Sequence, residues 1–441
     1  MTRRRRFSIR FLAPVTLLAA GAACGDHAPA TASASVPAVA LPDPMLLPPA
    51  TPAQAPLTAA YDALGVRSLA AGAFYQDPTT GVRVYKLTST ISPAPGSSWG
   101  HDYSEGGDEV SLPYSGNTRA VLVQQNGAAG GPWWIVDFTP GGGVGNPRRL
   151  AGNLAPWTEL AFTFSSNPAT PYYAYVAGST TIRRIDIRTM KEAPGNGWPL
   201  ADSNPTWLHQ SEKDALFVWL RGANGDTVVG YEPGTGAKKT YTNADLNEPR
   251  LDRAGRYVGI SMNKPPNALR VWDWLTDTIL WGTGGDPARA PQFAHVASLK
   301  NRWLGVNWGL SWPGEFSMFT PDVPDSAVNI GGPANGSLTY GNGNWIQSTA
   351  SPDDQWALFS NYGGLAPTGS AWLAPGGMIF ITANGERRLL GHPYNTSTTY
   401  NYMSFPKSAP DGRYVLFTSD MNGAGRTDAF LAEVPQGGRQ P

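Results

Sequence analysis

Cysteine occurs once in the 441 residues, histidine five times, and charged residues make up only 15%. One cysteine excludes a disulfide framework within the chain. Equal numbers of basic and acidic residues, 33 of each, exclude the strongly basic surface that nucleic acid requires. Close ligand spacing such as His-x-His is also missing, so no metal site is expected. Long runs of Ala, Glu, Lys and Leu are absent, which argues against a helical protein. What the chain has instead is 51 glycines, 40 prolines and 11% aromatic residues. That composition suits many short strands joined by tight turns.

Arg3, Arg4, Arg5, Arg6 and Arg10 precede a short apolar run, Phe11 to Ala20, and then small residues up to Cys24. The run is too short to span a bilayer and has the layout of an export signal. Gly21-Ala22-Ala23-Cys24 resembles a bacterial lipoprotein lipobox, with Gly21 where Leu is usual. The resemblance implies cleavage after residue 23, lipidation of Cys24 and a place in the bacterial cell envelope, membrane-anchored and exported. Without the five arginines the mature chain would carry a net charge of about −5. Residues 24–69, rich in Ala, Pro, Thr and Ser, read as a tether. Residues 70–435 form the folded domain, and 436–441 a tail.

Within that domain one pattern recurs. Pro410-Asp411-Gly412 presets a tight turn, and Tyr414-Val415-Leu416-Phe417 follows as a β-rich run. Weaker versions begin near Ser115, Ser166, Ser211, Asp252, Ser298 and Ser351. Intervals of about 40–60 residues are those of propeller blades. The expectation is an all-β, seven-bladed propeller of four-stranded antiparallel blades. The last unit lacks a fourth strand, and Val82 to Leu87 near the start reads as the strand that closes the ring. The Pro410 to Asp420 run resembles the WD40-like repeat of TolB-type propellers, which bind proteins, peptides or sugars or act as enzymes.

On that fold the loops joining blades, and those between second and third strands, share one face. They carry Tyr103, Trp308, Trp312, Trp372 and Tyr400, aromatic groups suited to stacking on sugar rings. His101, His209, His295 and His392 all lie in a blade-joining loop or the strand after it. His209 and Arg250 hold equivalent positions in successive blades; Glu248 lies two residues before Arg250, with Gln347 matching Glu248 two blades on. The chain is also similar in architecture to oligogalacturonate lyases and some ulvan lyases, although Phe405-Pro406 stands where the former carry His-Pro. That likeness implies His101, His209, Arg250 and Tyr400 as a catalytic set for β-elimination on a uronate. Tyr103, Glu248, His295, Trp308, Trp312, Gln347, Trp372 and His392 would bind the glycan. The leading expectation is a monomeric propeller that recognises a saccharide or an envelope protein. The alternatives are a polysaccharide lyase and a protein-interaction scaffold. No cofactor is indicated.

Overall fold

In the computed structural model the described residues are 40–437, apart from 52, 97, 103–106, 126–130, 223, 264–268, 282–292, 299, 301, 308–314, 332–343, 348–355, 362–375, 383–384, 398 and 400–401. Among them no helix is long and apolar enough to cross a membrane. Cys24, Tyr103, Trp308, Trp312, Trp372 and Tyr400 fall outside them.

Six antiparallel blades are built from strands consecutive in sequence. Blade 1 comprises Trp99–Gly100, Arg119–Gln125, Trp133–Thr139 and Gly143–Leu150. Blade 2 comprises Phe162–Phe164, Tyr173–Gly178, Thr181–Asp186 and Lys191–Glu192, with Leu200–Ala201 also pairing on Thr181–Asp186. Blade 3 runs from Thr206–Gln210 through Phe217–Arg221 and Thr227–Glu232 to Ala237–Thr242. Blade 4 runs from Leu246–Leu251 through Tyr257–Met262 and Arg270–Asp273 to Thr278–Trp281. Phe293–Ser298 opens blade 5, which ends at Val323–Gly331, and Asn344–Gln347 opens blade 6, which ends at Arg387–Gly391.

The remaining sheet is different. It holds five strands, in the order Phe74–Gln76, Arg83–Lys86, Asp428–Glu433, Tyr414–Ser419, Lys407–Ser408. The expectation of seven equivalent four-stranded blades is therefore corrected to six four-stranded blades. The C-terminal unit is not a seventh copy, because two N-terminal strands complete it where one was expected. Val84 pairs with Ala432 and Lys86 with Phe430, which joins the two ends of the ring.

Apolar side chains from adjacent sheets pack face to face. Val121, Val136 and Phe138 of blade 1 meet Tyr85, Leu416 and Leu431 of the closing sheet. Their opposite-facing neighbours Leu122 and Ile135 meet Phe162 and Val176 of blade 2. The period-2 alternation of each strand thus fills two interfaces at once. The same main-chain bond closes the first hairpin in five sheets: Ser111 N–H to Ala120 O, Ser165 to Tyr173, Ser211 to Leu216, Asp252 to Tyr257 and Ala409 to Tyr414. In the last of these, Gly412 takes φ +70°, a left-handed conformation that glycine adopts without strain.

Residues 40–69, read from sequence as tether, pack on the closing sheet and blade 6. Leu389 N–H donates to Pro48 O, and Ala50 N–H to Arg387 O, so this strap runs along the outer edge of blade 6. Tyr61, 1% exposed, stacks on Tyr394 at 3.9 Å. Lys86 Nζ donates to the carbonyls of Val66 and Arg67 and pairs with Asp428. Composition hid this packing, because a handful of anchors (Leu47, Tyr61, Val66) is enough to dock an otherwise polar strap.

Candidate functional site

The shared hairpin bond gives a common ruler. Two residues before its N–H donor stand Glu109, Thr163, His209, Arg250 and Lys407, the last four on first strands. The registers His209↔Val218 and Arg250↔Gly259 put these two residues on the same rung of their blades. That rung lines the middle of the ring, and its charged members are internally paired.

Glu109 is held from two sides. Its Oε1 lies 3.4 Å from Lys407 Nζ, while Oε2 meets His101 Nδ1 at 2.8 Å and the Asp102 N–H at 3.0 Å. His101 Nε2 donates to Ser404 O at 3.1 Å. Both ring nitrogens of His101 are thus engaged in a buried network. Arg250 donates to Glu248 at 2.9 Å and lies over the Trp207 ring at 5.3 Å, buried on both sides.

The segment carrying His101 and Asp102 leaves blade 1 after Gly100, which pairs with Gln124, and rejoins at Glu109, whose carbonyl accepts from Leu122. Between those points it reaches several other sheets. Asp102 Oδ2 accepts from Leu160 N–H of the blade 2 approach, and Asp108 O accepts from Phe164 N–H. Asp108 Oδ2 accepts from Gln210 of blade 3 at 2.6 Å and pairs with Arg253, in the first hairpin turn of blade 4, at 3.4 Å. At Gly107 any Cβ would meet Phe162 O at 2.3 Å, so only glycine permits this crossing.

Burial, with Glu109 and Glu159 adding repulsion, holds the Asp102 carboxyl well above the usual carboxylate range. Burial also raises Asp108 and lowers Lys407. The His209 imidazole is pushed down to about 3 by burial and then by the Lys407 charge. Asp102 Oδ1 and His209 Nε2 have no hydrogen-bond partner among the described residues. His209 is thus a neutral, weakly basic imidazole. Since its folded pKa lies below the unfolded value of about 6.5, the unfolded chain binds the extra proton. Stability is full above that value and is lost as the pH falls towards 3. Between about pH 7 and pH 4 the loss from this residue is roughly 3 kcal/mol. His209→Gln should flatten that part of the urea-midpoint profile; an unchanged acid slope would show that His209 is not the group responsible.

His392 lies elsewhere. Its N–H donates to Asp77, its Nε2 meets Gln54 O at 3.0 Å, and Tyr394 stands 5.9 Å away, so it is walled in by the strap. His295 and Gln347 fall on the first strands of blades 5 and 6, where only the backbone is described. Of the sequence candidates, His101 and His209 meet around Lys407, and Arg250 with Glu248 stands one blade further on. Sequence reading missed Asp102, Asp108, Glu109 and Lys407. Extending the ruler that relates His209 to Arg250 around the ring would have found Glu109 and Lys407.

The fold and this ring of inner strands define a β-propeller. No family model matches the chain, and no curated protein matches it by sequence. Among solved structures, an oligogalacturonate lyase from Vibrio parahaemolyticus is similar with a TM-score of 0.55 at 12% identity, over 83% of this chain and 99% of that one. A chain of the mitotic checkpoint complex scores 0.48 at 12% identity, over 84% of this chain and 99% of that one. The β-propeller domain of Swd1 from Myceliophteria thermophila scores 0.43 at 11% identity, over 76% and 97%. The first of these likenesses bears on the fold alone.

Proposed function

We propose that the protein is an exported propeller, lipid-anchored through Cys24 in the bacterial envelope, that recognises a saccharide or an envelope partner through its loop-rich face. It acts as a monomer. The observation that carries this reading over a lyase is the spending of the central cations on internal carboxylates: Lys407 on Glu109, Arg250 on Glu248, Arg253 on Asp108. A β-eliminating enzyme must neutralise the uronate carboxylate and supply a base. Here the paired cations are already engaged, and His101 is doubly hydrogen-bonded. His209, with its unpartnered Nε2, is the one observation favouring a lyase, and its depressed basicity weakens that role.

Incubation with oligogalacturonate or ulvan, with and without divalent metal, should give no ultraviolet absorbance from unsaturated uronates, while a glycan array gives binding. Accumulation of such products, abolished by His209→Ala or Arg250→Ala, would replace this reading with the lyase. Capture of an envelope protein together with a blank glycan array would replace it with an interaction scaffold.

A further inference from the structure

The described chain enters the propeller beside its own C-terminal end. Pro42 pairs with Gln436, and Asp43 N–H donates to Pro435 O at 2.8 Å. Pro435 and Gln436 in turn wall a shallow recess of about 300 Å³ with Leu46, Gln76, Arg83 and Glu433. The strand Phe74–Gln76 is the outer edge of the closing sheet. By its alternation Phe74 and Gln76 point outward, while Tyr75 between them is buried. Arg83 is the register partner of Gln76, and its guanidinium lies 4.9 Å from the centre of the Phe74 ring. Leu46 and Phe74 thus belong to one surface, joined by Gln76 and Arg83.

Folding leaves both apolar side chains of this surface in solvent. Leu46 is 58% exposed and Phe74 51%. Large apolar groups that share one surface mark an interaction site, which single scattered ones do not. The charged residues of the recess, Arg83 and Glu433, pair with one another at 3.4 Å, so the surface carries no excess of either sign. A further β-strand would find only three residues of edge to pair with. Chain connectivity delivers a different partner. Residues 24–39 separate Cys24 from Ala40, a reach of at most about 55 Å when fully extended. The entry point is therefore the part of the propeller that a lipid on Cys24 holds nearest to the bilayer.

Resting on the lipid-anchor reading above, we propose that Leu46 and Phe74 form a membrane-contact surface and dip into the boundary between lipid headgroups and acyl chains. The apolar side chains drive the contact. The Arg83–Glu433 pair sits among the headgroups and, being neutral as a pair, makes the contact indifferent to anionic lipid. The outer edge of the closing sheet then faces the bilayer, and the blades across the ring point away from it.

The test is site-directed spin labelling of the full chain, made in a bacterial host and reconstituted into vesicles of phosphatidylethanolamine with a minority of phosphatidylglycerol. The chain has a single cysteine, so with lipid on Cys24 an added cysteine takes the nitroxide alone. Labels at Leu46→Cys, Phe74→Cys or Gln76→Cys should collide with oxygen several-fold more than with a water-soluble nickel chelate. A label at Leu275→Cys, 73% exposed on blade 4 across the ring, should do the reverse. Phe74→Ser together with Leu46→Ser should return the Gln76 label to water, and omitting the phosphatidylglycerol should change nothing. Circular dichroism melts establish that the variants fold, and mass spectrometry of the N-terminal peptide reads the lipid separately. Lipidated, vesicle-bound protein whose labels at 46, 74 and 76 are as water-exposed as the one at 275 would overturn the contact surface and leave the anchor standing. Absence of the lipid, with every label in water, would overturn both. Immersion that requires phosphatidylglycerol would overturn the apolar contact in favour of an electrostatic one.

Discussion

Lys407→Met is expected to destabilise the propeller by about 3–5 kcal/mol, the cost of removing one partner from a buried charge pair. Lys407 is 2% exposed, and the carboxylates of Glu109, Asp108 and Asp102 act on it together. Burial lowers its own pKa, so its ammonium persists because those carboxylates hold it. Without it, Glu109 keeps its bonds from His101 and the Asp102 N–H but loses its ion pair with Lys407. Glu109→Gln in the same chain removes the stranded charge. The double variant should recover part of the loss, with a coupling of about 1–3 kcal/mol in the mutant cycle. Urea titration of the four proteins measures this. A Lys407→Met loss below about 1 kcal/mol would show that water reaches the ring centre and screens the carboxylates.

A chain starting at residue 88 should fail to give a soluble, cooperatively melting monomer. It lacks Phe74–Gln76 and Arg83–Lys86, which leaves Asp428–Glu433 as an open edge. It also empties the positions of Tyr75, Val82, Val84 and Tyr85, each at most 7% exposed, and of the fully buried Leu87. At about 1.5–3 kcal/mol per buried apolar side chain the loss is on the order of 10 kcal/mol, comparable with the whole stability of a typical domain. Asp428 would lose Lys86 as well. A chain starting at residue 70 keeps both strands and loses only the strap; it should fold and melt at a lower temperature. Size-exclusion chromatography and thermal melts of the two truncations give the comparison. Melting of the 88–441 chain within a few degrees of the intact protein would show that ring closure contributes little.

Local chemistry made much of the fold legible. Pro410-Asp411-Gly412 and its weaker relatives marked hairpins because turn residues act within four positions. Alternating apolar runs marked strands because each strand fills two interfaces. The composite sheet was only half legible: Val82 to Leu87 reads as a strand, whereas Phe74–Gln76 is only three residues long. The strap was illegible for the same kind of reason, since its few anchors act at long range. In the candidate site, His209 and Arg250 could be related by counting back from a turn. Glu109 escaped because the excursion after Gly100 disrupts the strand that carries it. Lys407 escaped because a lone lysine after Phe405-Pro406 looks like surface. That Glu109 and Lys407 face each other is a property of two neighbouring sheets, which no single repeat encodes.

The contacts at the two ends of the described chain have a topological consequence. Asp43 N–H donates to Pro435 O, and Gly437 N–H donates to Leu41 O, so residues 40–43 and 435–437 run side by side. The polypeptide enters and leaves the propeller at one point, as a string does at its knot. A short peptide bridge there would make the backbone itself circular, and new termini opened in a loop between two blades would give a permuted chain with every strand pairing intact.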